Sequence, residues 1–378
     1  MGGEATSPSL SDSEPALPSK PTEPRISTAG TRKHPELLEK PFNVGKVQFA
    51  PVVIPWERRL QTLVVLIWCT SQIMSIVISL VLIRSSGLTL IAFIMYVTWM
   101  LFYQDYHLTG GRANKWFRSH VFWRYFRDYF PIHLIKTHDL DPQKTYIFGY
   151  HPHGIISLGA LCNFATEATG FSEKFPGINL RVLTLGTNFK IPFFGHLCSF
   201  LGVADSSKES CNYILSQGAG NSLMLVLGGA KEALDARPGS YELTLESRKG
   251  FVKIALRHGA SLVPVFSFGE NDVFDQVANP KGSRVRKLQD ALQKQMGFAI
   301  PFVIGRGVFT YNYGILPHRK PIYSVVGKPI DLPKLEEHEI TAEIIDFYHG
   351  KYKESLFQLF EQNKGKYEGT PGATLKVH

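Results

Sequence analysis

The chain lacks the cysteine patterns of disulfide-stapled and zinc-binding proteins. Its four cysteines form no C-x-x-C pair and no Cys/His ligand spacing, so we expect no metal site. No apolar stretch typical of a secretory leader precedes them in the polar N-terminal region, and no Asn-x-Ser/Thr acceptor for N-glycosylation occurs in the 378 residues. These absences predict reduced thiols and a globular part that faces the cytosol.

The motifs of three common enzyme classes are also missing. The chain has no G-x-S-x-G nucleophile elbow, no G-x-x-x-x-G-K-[ST] phosphate loop and no G-x-G-x-x-G dinucleotide turn. These gaps weaken hydrolase, nucleoside triphosphatase and dehydrogenase interpretations, and no bound cofactor is expected. The formal net charge of +9 indicates an anionic partner. Charge alone leaves open nucleic acid, an anionic membrane surface or a phosphorylated ligand such as coenzyme A.

Charged residues are absent from a run of about 24 residues between Leu60 and Ile83. As a helix this run is roughly 36 Å long, which exceeds the hydrocarbon core of a bilayer. A second apolar run from Leu88 to Tyr103 gives roughly 24 Å. The sequence therefore predicts a membrane helical hairpin over residues 55–105, with helices at about 60–83 and 88–103. Residues 1–41 are rich in Ser, Pro, Glu and Thr, which predicts a disordered tail.

Basic residues flank the predicted hairpin on both sides. They are Arg58, Arg59, Lys115, Arg118, Arg124 and Arg127. Because positive residues concentrate on the cytosolic side of membrane segments, both ends of the hairpin are expected in the cytosol. A double crossing and a wedge in one leaflet both fit the short second arm and Arg84 at the apex. A pair of buried core helices is the alternative.

From about residue 116 onward, strand and helix patterns alternate. Predicted strands are Tyr146–Tyr150, Arg181–Leu185, Leu223–Leu227, Leu262–Phe268 and Ile322–Val326, and predicted helices are Ile155–Ala168, Lys208–Ser216, Lys249–His258, Ser283–Met296 and Glu339–Asn363. Such alternation favours an α/β domain over residues 116–378, with a mostly parallel sheet and flanking helices.

Two histidines, His151 and His153, lie between a predicted strand and a predicted helix. In α/β sheets, reactive side chains are presented at this position, beyond the carboxyl end of a strand. Transfer of an acyl group from a thioester needs a base for the incoming alcohol, and neutral histidine is suited to that task. A turn with two incidental histidines, or an incomplete metal site, explains the same residues equally simply.

A second segment has the same placement after a strand. Gly228 and Gly229 allow close approach of the backbone to a ligand, and Glu232 could orient a histidine ring through its second nitrogen. A glutamate in this position alone is more often a solvated turn residue. Further along, Arg248 and Lys249 open a predicted helix and are suited to bind the phosphates of coenzyme A, although a solvated basic face is the simpler interpretation.

Together these segments resemble the type-2 diacylglycerol acyltransferase family, which includes monoacylglycerol acyltransferases and wax synthases. The resemblance runs from about Pro55 to the C-terminus and is carried by Tyr129–Pro131, His151–Gly154, Gly228–Glu232, Arg248–Gly269 and Phe266–Asn271. It implies a glycerolipid-acyltransferase-like fold and an enzyme of the endoplasmic reticulum membrane that also acts at lipid droplets. Its implied partners are fatty acyl-CoA, a diacylglycerol or monoacylglycerol acceptor and the lipid bilayer. Nucleic acid is not expected, and homo-oligomerisation is left open.

We therefore expect direct acyl transfer in which His153 takes the proton of the acceptor hydroxyl, Glu232 orients His153 and His151 supports the site. The residues expected to bind substrates are Gly154, Gly228, Gly229, Arg248, Lys249 and Asn271. The wider glycerolipid family pairs its histidine with an aspartate five positions later, but here Ile156 and Leu158 occupy those positions. The acid must therefore come from elsewhere, with Glu232 as the first candidate and Glu167 as the second.

The sequence defines the acyl acceptor less closely than it defines the acyl donor. Acylation of diacylglycerol to triacylglycerol is the predicted reaction, and acylation of 2-monoacylglycerol is the alternative, because Pro55–Leu60 and Glu232–Gly239 resemble the monoacylglycerol-acylating members. The family's Phe-Leu-x-Leu lipid-contact pattern is not intact, and Ser79–Leu82 is its nearest equivalent. A different class remains as a rival, in which the chain is a non-catalytic protein that binds lipid droplets.

Overall fold

The computed structural model describes residues 40–296, 300–367 and 372–378, so nearly all of the predicted tail over residues 1–41 lies outside the described residues. The strands are β1 (Phe42–Val44), β2 (Val47–Phe49), β3 (Ile132–Lys136), β4 (Tyr146–His151), β5 (Asn179–Thr184), β6 (Ala204–Asp205), β7 (Asn221–Val226), β8 (Tyr241–Leu243), β9 (Ser261–Phe268), β10 (Asp275–Gln276), β11 (Val303–Ile304), β12 (Ile322–Val326) and β13 (Leu375–Val377).

The α-helices are α1 (Trp56–Ile83), α2 (Leu88–Phe102), α3 (Lys115–Ser119), α4 (Val121–Tyr129), α5 (Leu158–Phe164), α6 (Phe171–Lys174), α7 (Phe194–Phe200), α8 (Lys208–Ser216), α9 (Gly229–Ala233), α10 (Gly250–His258), α11 (Arg284–Met296) and α12 (Ala342–Tyr367). Short 3-10 helices occupy Gly186–Lys190 and Glu270–Val273. The predicted strands and the helices at α8, α10, α11 and α12 are confirmed to within a few residues.

A seven-stranded sheet, ordered β3-β12-β9-β4-β7-β5-β6, forms the centre of the fold. Five of its six neighbouring pairs are parallel, and β12 with β9 is the antiparallel pair. The predicted α/β class with a mostly parallel sheet is therefore confirmed. Strands β4, β7 and β9 are parallel, so they end at one edge, which we call the carboxyl edge. Because β12 runs against β9 and alongside β3, the residues that precede β3 and β12 also lie at the carboxyl edge.

Both faces of the sheet are buried, and the side chains of β4 pack alternately into an apolar cluster on each face. Tyr146, Phe148 and Tyr150 pack with α4 and α5 in one apolar cluster, whereas Ile147 packs with α8, α10 and α12 in a second. Since side chains alternate along a strand, His151 belongs to the same face as Ile147. The C-terminal helix α12 therefore lies directly against the face that carries His151.

Helix α5 differs most from its prediction. It was expected over residues 155–168 but spans Leu158–Phe164. Gly154 and Ser157 have φ angles of 61° and 52°, in the left-handed region, so the right-handed helix cannot begin before residue 158. The strand and the helix are therefore separated by an irregular turn, residues 152–157, which we call the histidine turn.

The predicted membrane segments form two consecutive helices. Helix α1 has 28 residues, or about 42 Å at 1.5 Å per residue, and an 18-residue window of it reaches a mean hydropathy of 2.2. It begins at Trp56, before the predicted residue 60, and its first turns pack on α4 through Val64 and Val65. Helix α2 has 15 residues, too few for a perpendicular crossing. One helix in the described part of the chain is thus long and apolar enough to cross a membrane, and the hairpin remains a prediction.

Gly149 gives a first test of this packing. It lies in the buried strand β4, where an added Cβ would overlap the hydroxyl oxygen of Tyr352 from α12. Overpacking of this kind costs about 1–3 kcal/mol. We therefore expect Gly149→Ala to lower the melting temperature of the detergent-purified protein. Gly350→Ala is the matched control, because Gly350 lies on helix α12 where an added Cβ would have no neighbouring atom within 4 Å. Equal melting temperatures for the two variants would contradict this packing.

Candidate active site

His151 is the last residue of β4 and its side chain is fully buried. Its Nε2 lies 3.0 Å from the hydroxyl oxygen of Tyr352, and that hydroxyl donates to the carbonyl of Gly149 at 3.2 Å. Because the only hydroxyl proton of Tyr352 is used on Gly149, Nε2 of His151 is the donor. Burial lowers the pKa of His151 to about 3, so the ring is neutral. This histidine ties the end of β4 to α12 and is not exposed to solvent.

His153 is partly buried in the histidine turn. Its Nδ1 lies 2.9 Å from the carbonyl oxygen of Gly154, which can only accept, so Nδ1 carries the proton and Nε2 carries the lone pair. Nε2 has no hydrogen-bond partner among the residues that the structure describes. Burial lowers the pKa of His153, and the Gly154 hydrogen bond offsets this in part. The ring is therefore neutral at pH 7, with a free basic nitrogen.

Glu232 reaches the histidine turn from α9, the helix that follows β7. Its Oε1 accepts the backbone N–H of His153 at 2.6 Å, and its Oε2 accepts the backbone N–H of Thr244 at 2.9 Å. The expected contact with the imidazole is not formed, because Nδ1 of His153 is occupied by Gly154. The carboxylate instead fixes the main chain of the turn and ties it to the segment after β8.

The glycines before Glu232 make room for its carboxylate. An added Cβ at Gly228 would overlap that carboxylate, and Gly229 adopts a φ of 62° that favours glycine. The carboxyl group of Glu232 is buried, and burial raises its pKa to about 7, although the N–H groups of His153 and Thr244 act in the opposite direction.

A second buried carboxylate, that of Glu270, holds the other end of the turn. Its Oε1 accepts the N–H of Leu158 at 2.6 Å, and its Oε2 accepts the N–H of Gly159 at 3.0 Å and the hydroxyl of Tyr150 at 2.7 Å. Burial raises the pKa of Glu270 to about 7 despite these donors. The prediction of site residues missed Glu270. One sequence signal was available. Glu270 follows the predicted strand β9 closely, and Glu232 likewise comes soon after the predicted strand β7.

Gly154 is required where the turn meets Glu270. Its φ is 61°, and an added Cβ would lie 2.7 Å from Cγ of Glu270. The close approach leaves no space for a side chain. Gly154 therefore shapes the turn, with Glu232 holding the backbone of residue 153 and Glu270 holding the start of α5.

The two predicted phosphate-binding residues, Arg248 and Lys249, have different surroundings in the structure. Both precede α10, whose start lies at the carboxyl edge because the helix runs back along β9. Arg248 is exposed. A Cβ added to Gly229 would lie 3.7 Å from Nη2 of Arg248, so the guanidinium lies beside the glycine pair Gly228–Gly229, which we call the glycine segment. Lys249 forms an ion pair with Asp346 of α12 at 2.5 Å. Only Arg248 is thus brought next to the histidine turn.

The remaining candidates have other contacts. Asn271 is buried and donates its amide to the carbonyl of Ser240 at 2.7 Å, so it anchors the segment before β8. Glu167, the second candidate for the acid, forms an ion pair with Arg118 at 3.2 Å. It lies beyond the end of α5, and within the described residues its side chain hydrogen-bonds to Arg118 and Ser172 and to neither histidine.

The arrangement presents a neutral base on a rigid turn. The backbone of the turn is held at both ends by buried carboxylates, and one imidazole nitrogen is free to accept a proton. Such a nitrogen suits removal of a proton from an alcohol, where a positioned base contributes about 10²–10⁴ in rate.

Known proteins resemble this chain over most of its length. The sequence profile of the family described as "Diacylglycerol acyltransferase" matches residues 81–378. "Diacylglycerol O-acyltransferase 2" of Dictyostelium discoideum is 48% identical over 88% of this chain and 100% of its own length. "2-acylglycerol O-acyltransferase 1" of Bos taurus is 48% identical over 87% of this chain and 99% of its length. "Diacylglycerol O-acyltransferase 2" of Homo sapiens is 47% identical, covering 85% of this chain and 84% of its length.

A solved structure aligns at a greater distance. The crystal structure of the 1-acyl-sn-glycerophosphate (LPA) acyltransferase PlsC from Thermotoga maritima has a TM-score of 0.39 and 10% identity, over 82% of this chain and 97% of that chain. A similarity this low carries no information on the site.

The raised pKa of Glu270 predicts a pH dependence of stability. Its folded pKa of about 7 exceeds the ordinary value of 4.5, so the folded protein binds this proton more tightly than the unfolded chain. Stability contributed by the protonated group is thus present below about pH 4.5 and is lost as the pH rises towards 7. Glu270→Gln removes this titration, so its melting temperature should fall less than that of the wild type between pH 5 and pH 7.5.

At pH 5, Glu270→Gln should be less stable than the wild type by about 1–3 kcal/mol, because one amide oxygen cannot accept from all three donors, and this difference should shrink as the pH rises to 7.5. Glu173→Gln is the control, since Glu173 is exposed and distant from the turn in the chain. Parallel melting curves for the wild type and Glu270→Gln across this pH range would contradict the assignment.

Proposed function

Because the chain belongs to the diacylglycerol acyltransferase family and is therefore an O-acyltransferase, we propose that it transfers a fatty acyl group from acyl-CoA to the free hydroxyl of diacylglycerol, with His153 as the general base. The observation that carries the role of His153 is the free Nε2 lone pair, which the hydrogen bond between Nδ1 and Gly154 leaves unprotonated. The close relatives named for diacylglycerol support the acceptor.

In the proposed reaction, Nε2 of His153 takes the proton of the acceptor hydroxyl as its oxygen attacks the thioester carbonyl carbon. The resulting oxyanion would be stabilised by backbone N–H groups of the histidine turn. The carbon–sulfur bond then breaks, and the coenzyme A thiolate takes the proton from the imidazolium. The products are an ester and free coenzyme A, and His153 returns to its neutral form. No covalent acyl-enzyme is needed, because a thioester is already activated.

Glu232 and His151 act as positioning residues in this scheme. Glu232 holds the N–H of His153 and so sets the direction in which the imidazole leaves the backbone. His151 acts less directly, because its hydrogen bond to Tyr352 of α12 holds the end of β4, where the turn begins. Small errors in the position of a general base reduce its rate contribution strongly, so both residues can matter without touching the substrates.

Coenzyme A would bind beside the histidine turn. Arg248 is our candidate for a phosphate contact, because it is exposed and lies beside the glycine segment of Glu232. Lys249 would contribute only by exchanging its ion pair with Asp346. The substrate-binding roles of Gly154, Gly228, Gly229 and Asn271 are proposed as indirect, through the shape of the turn and its neighbouring segment.

The acceptor would enter from the membrane. Helix α1 supports membrane association, and we propose that residues 55–105 form a hairpin with both ends in the cytosol and that residues 116–378 form the cytosol-facing enzyme domain. The endoplasmic reticulum membrane and lipid droplets are the proposed locations, since neutral acylglycerols dissolve in these phases. An anchored site would meet its acceptor without a soluble carrier.

Acylation of 2-monoacylglycerol is the second candidate function. The relative named for 2-acylglycerol is as similar in sequence as the first of the relatives named for diacylglycerol, at 48% identity. The resemblance of the segments around Pro55 and Glu232 to monoacylglycerol-acylating members agrees with it. The rival without catalysis, a droplet-binding protein, is disfavoured by the family membership and by the free base on the turn.

Replacement of His153 tests the general base. We expect His153→Ala, purified in detergent, to lose about 10²–10⁴ of its turnover of labelled oleoyl-CoA with dioleoylglycerol, because no other group of the turn supplies a free basic nitrogen. His138→Ala is the matched control, since His138 is an exposed histidine outside the turn. Turnover of His153→Ala within a few-fold of the control would reject the assignment.

The pH profile gives a second measure of the same group. Because burial lowers the pKa of His153, the base stays unprotonated below the ordinary histidine value of 6.5. Log kcat/KM should thus stay level on going from pH 7.5 to pH 6.5 and fall only in more acidic buffers. An acid limb centred above pH 6.5 would conflict with this base.

Competition between acceptors decides the substrate. With dioleoylglycerol and 2-oleoylglycerol at equal concentrations in one assay, we expect triacylglycerol made from the added diacylglycerol to exceed diacylglycerol made from the monoacylglycerol. Separately labelled acceptors distinguish the two routes. A larger yield from labelled 2-oleoylglycerol would assign the chain to monoacylglycerol acylation.

A further inference from the structure

Three arginines lie where helix α1 begins. Arg58 is in the first turn of α1, Arg319 is in the segment that leads into β12, and Arg306 is in the segment that follows β11. Arg319 donates to the carbonyl of Arg58 at 2.9 Å and to Oγ1 of Thr62 at 3.0 Å. It also donates to Oε1 of Gln61 at 2.5 Å. Arg58, Arg306 and Arg319 form what we call the arginine cluster.

Aromatic rings hold two of these guanidinium groups. Arg319 lies over the ring of Tyr129, 4.1 Å from its centroid, and Arg306 lies over the ring of Tyr311 at 4.6 Å. Tyr129 is itself fixed, because its hydroxyl donates to the carbonyl of Pro317 at 2.6 Å. Arg306 is only 7% exposed. The cluster is therefore built into the protein and does not consist of freely moving surface side chains.

No carboxylate neutralises the cluster within the described ranges 40–296, 300–367 and 372–378. None of its three arginines forms an ion pair there, and Nε of Arg58 is buried without a hydrogen-bond partner. Burial lowers the pKa of Arg319 to about 9, and the neighbouring arginines add to this shift. Half-buried cations without a counter-charge are costly, so the cluster is suited to receive an anion.

The surroundings of the cluster indicate a membrane surface. Helix α1, which starts at Arg58, is the helix long and apolar enough to cross a bilayer. The segment over residues 305–316 is attached to β2 by hydrogen bonds from Ala50 to Phe309 and from Tyr311 to Gln48. Large apolar side chains exposed on this segment and at the start of α1 are Trp56, Val308, Phe309, Tyr313 and Ile315. Exposed aromatic and apolar residues at the start of such a helix are typical of headgroup depth.

We propose that the arginine cluster binds the phosphate of a phospholipid headgroup at the membrane surface where α1 enters. Guanidinium groups match phosphate oxygens with paired N–H donors, and Arg58 has donors that no described residue uses. The apolar rim would contact the acyl region of the same leaflet. This site is separate from Arg248, beside the histidine turn, and needs no catalytic step.

Coenzyme A also carries phosphates, and the test must separate the two sources. The lipid source is favoured here because the cluster is attached to the membrane helix itself, through the contacts of Arg319 with Arg58, Gln61 and Thr62. A donor phosphate in the cluster would instead make acyl-CoA binding depend on Arg58.

The full-length protein in detergent is titrated with dihexanoyl phosphatidate, and binding is followed by the melting temperature. We expect Arg58→Gln and Arg306→Gln each to weaken phosphatidate binding about tenfold, as loss of a charge-assisted contact does. Arg59→Gln is the matched control, because it removes the same charge from the next residue, whose side chain is exposed and contacts the carbonyl of Val52. The control should bind phosphatidate as the wild type does.

Two further ligands complete the experiment. Dihexanoylglycerol lacks the phosphate, so its binding should be equal in the wild type and Arg58→Gln. Coenzyme A should also bind both equally, and a tenfold loss with coenzyme A but not with phosphatidate would overturn the lipid assignment. Equal phosphatidate binding by the wild type, Arg58→Gln and Arg306→Gln would overturn the site altogether. Because the readout is binding, the result is independent of whether His153 is the general base.

Discussion

The burial of two carboxylates against the backbone of one turn is the interaction on which the site depends. Glu232 accepts the N–H of residue 153, and Glu270 accepts those of residues 158 and 159. Burying a carboxyl group is costly, as the raised pKa values of both residues show. The backbone donors offset that cost, and in return the carboxyl groups hold a turn whose left-handed residues are not stabilised by a regular helix or strand.

The parallel sheet brings these groups together. His153 and Glu232 are 79 positions apart, and Tyr150 and Glu270 are 120 apart, yet each glutamate follows a strand that neighbours β4. Because β4, β7 and β9 run in one direction, all three deliver their following residues to the carboxyl edge. Helix α12, which covers the face of the sheet that carries His151, adds Tyr352, 201 positions from His151 in the chain. The hydroxyl of Tyr352 occupies the space that Gly149 leaves by having no side chain.

Helix α1 is tied to the same edge of the sheet. Residues before β3 and β12 lie at the carboxyl edge, and these include Tyr129 and Arg319, which hold the first turns of α1. The histidine turn and the start of α1 therefore share one edge of the fold. For an enzyme whose acceptor dissolves in the bilayer, this arrangement places the proposed base on the side from which the acceptor would arrive.

Most secondary-structure elements and the first candidate residues could be predicted from the amino-acid sequence. The chargeless run predicted α1, short apolar runs predicted the strands, helical periodicity predicted several helices, and the position after a strand singled out His153 and Glu232, because these signals are local. What each candidate contacts was decided only by the tertiary structure. The contact of Glu232 with the main chain of His153, the role of Glu270 and the arginine cluster all depend on groups far apart in the chain. Local patterns carry no information on which distant donor or charge a buried side chain will meet, since packing of the sheet and helices sets those distances.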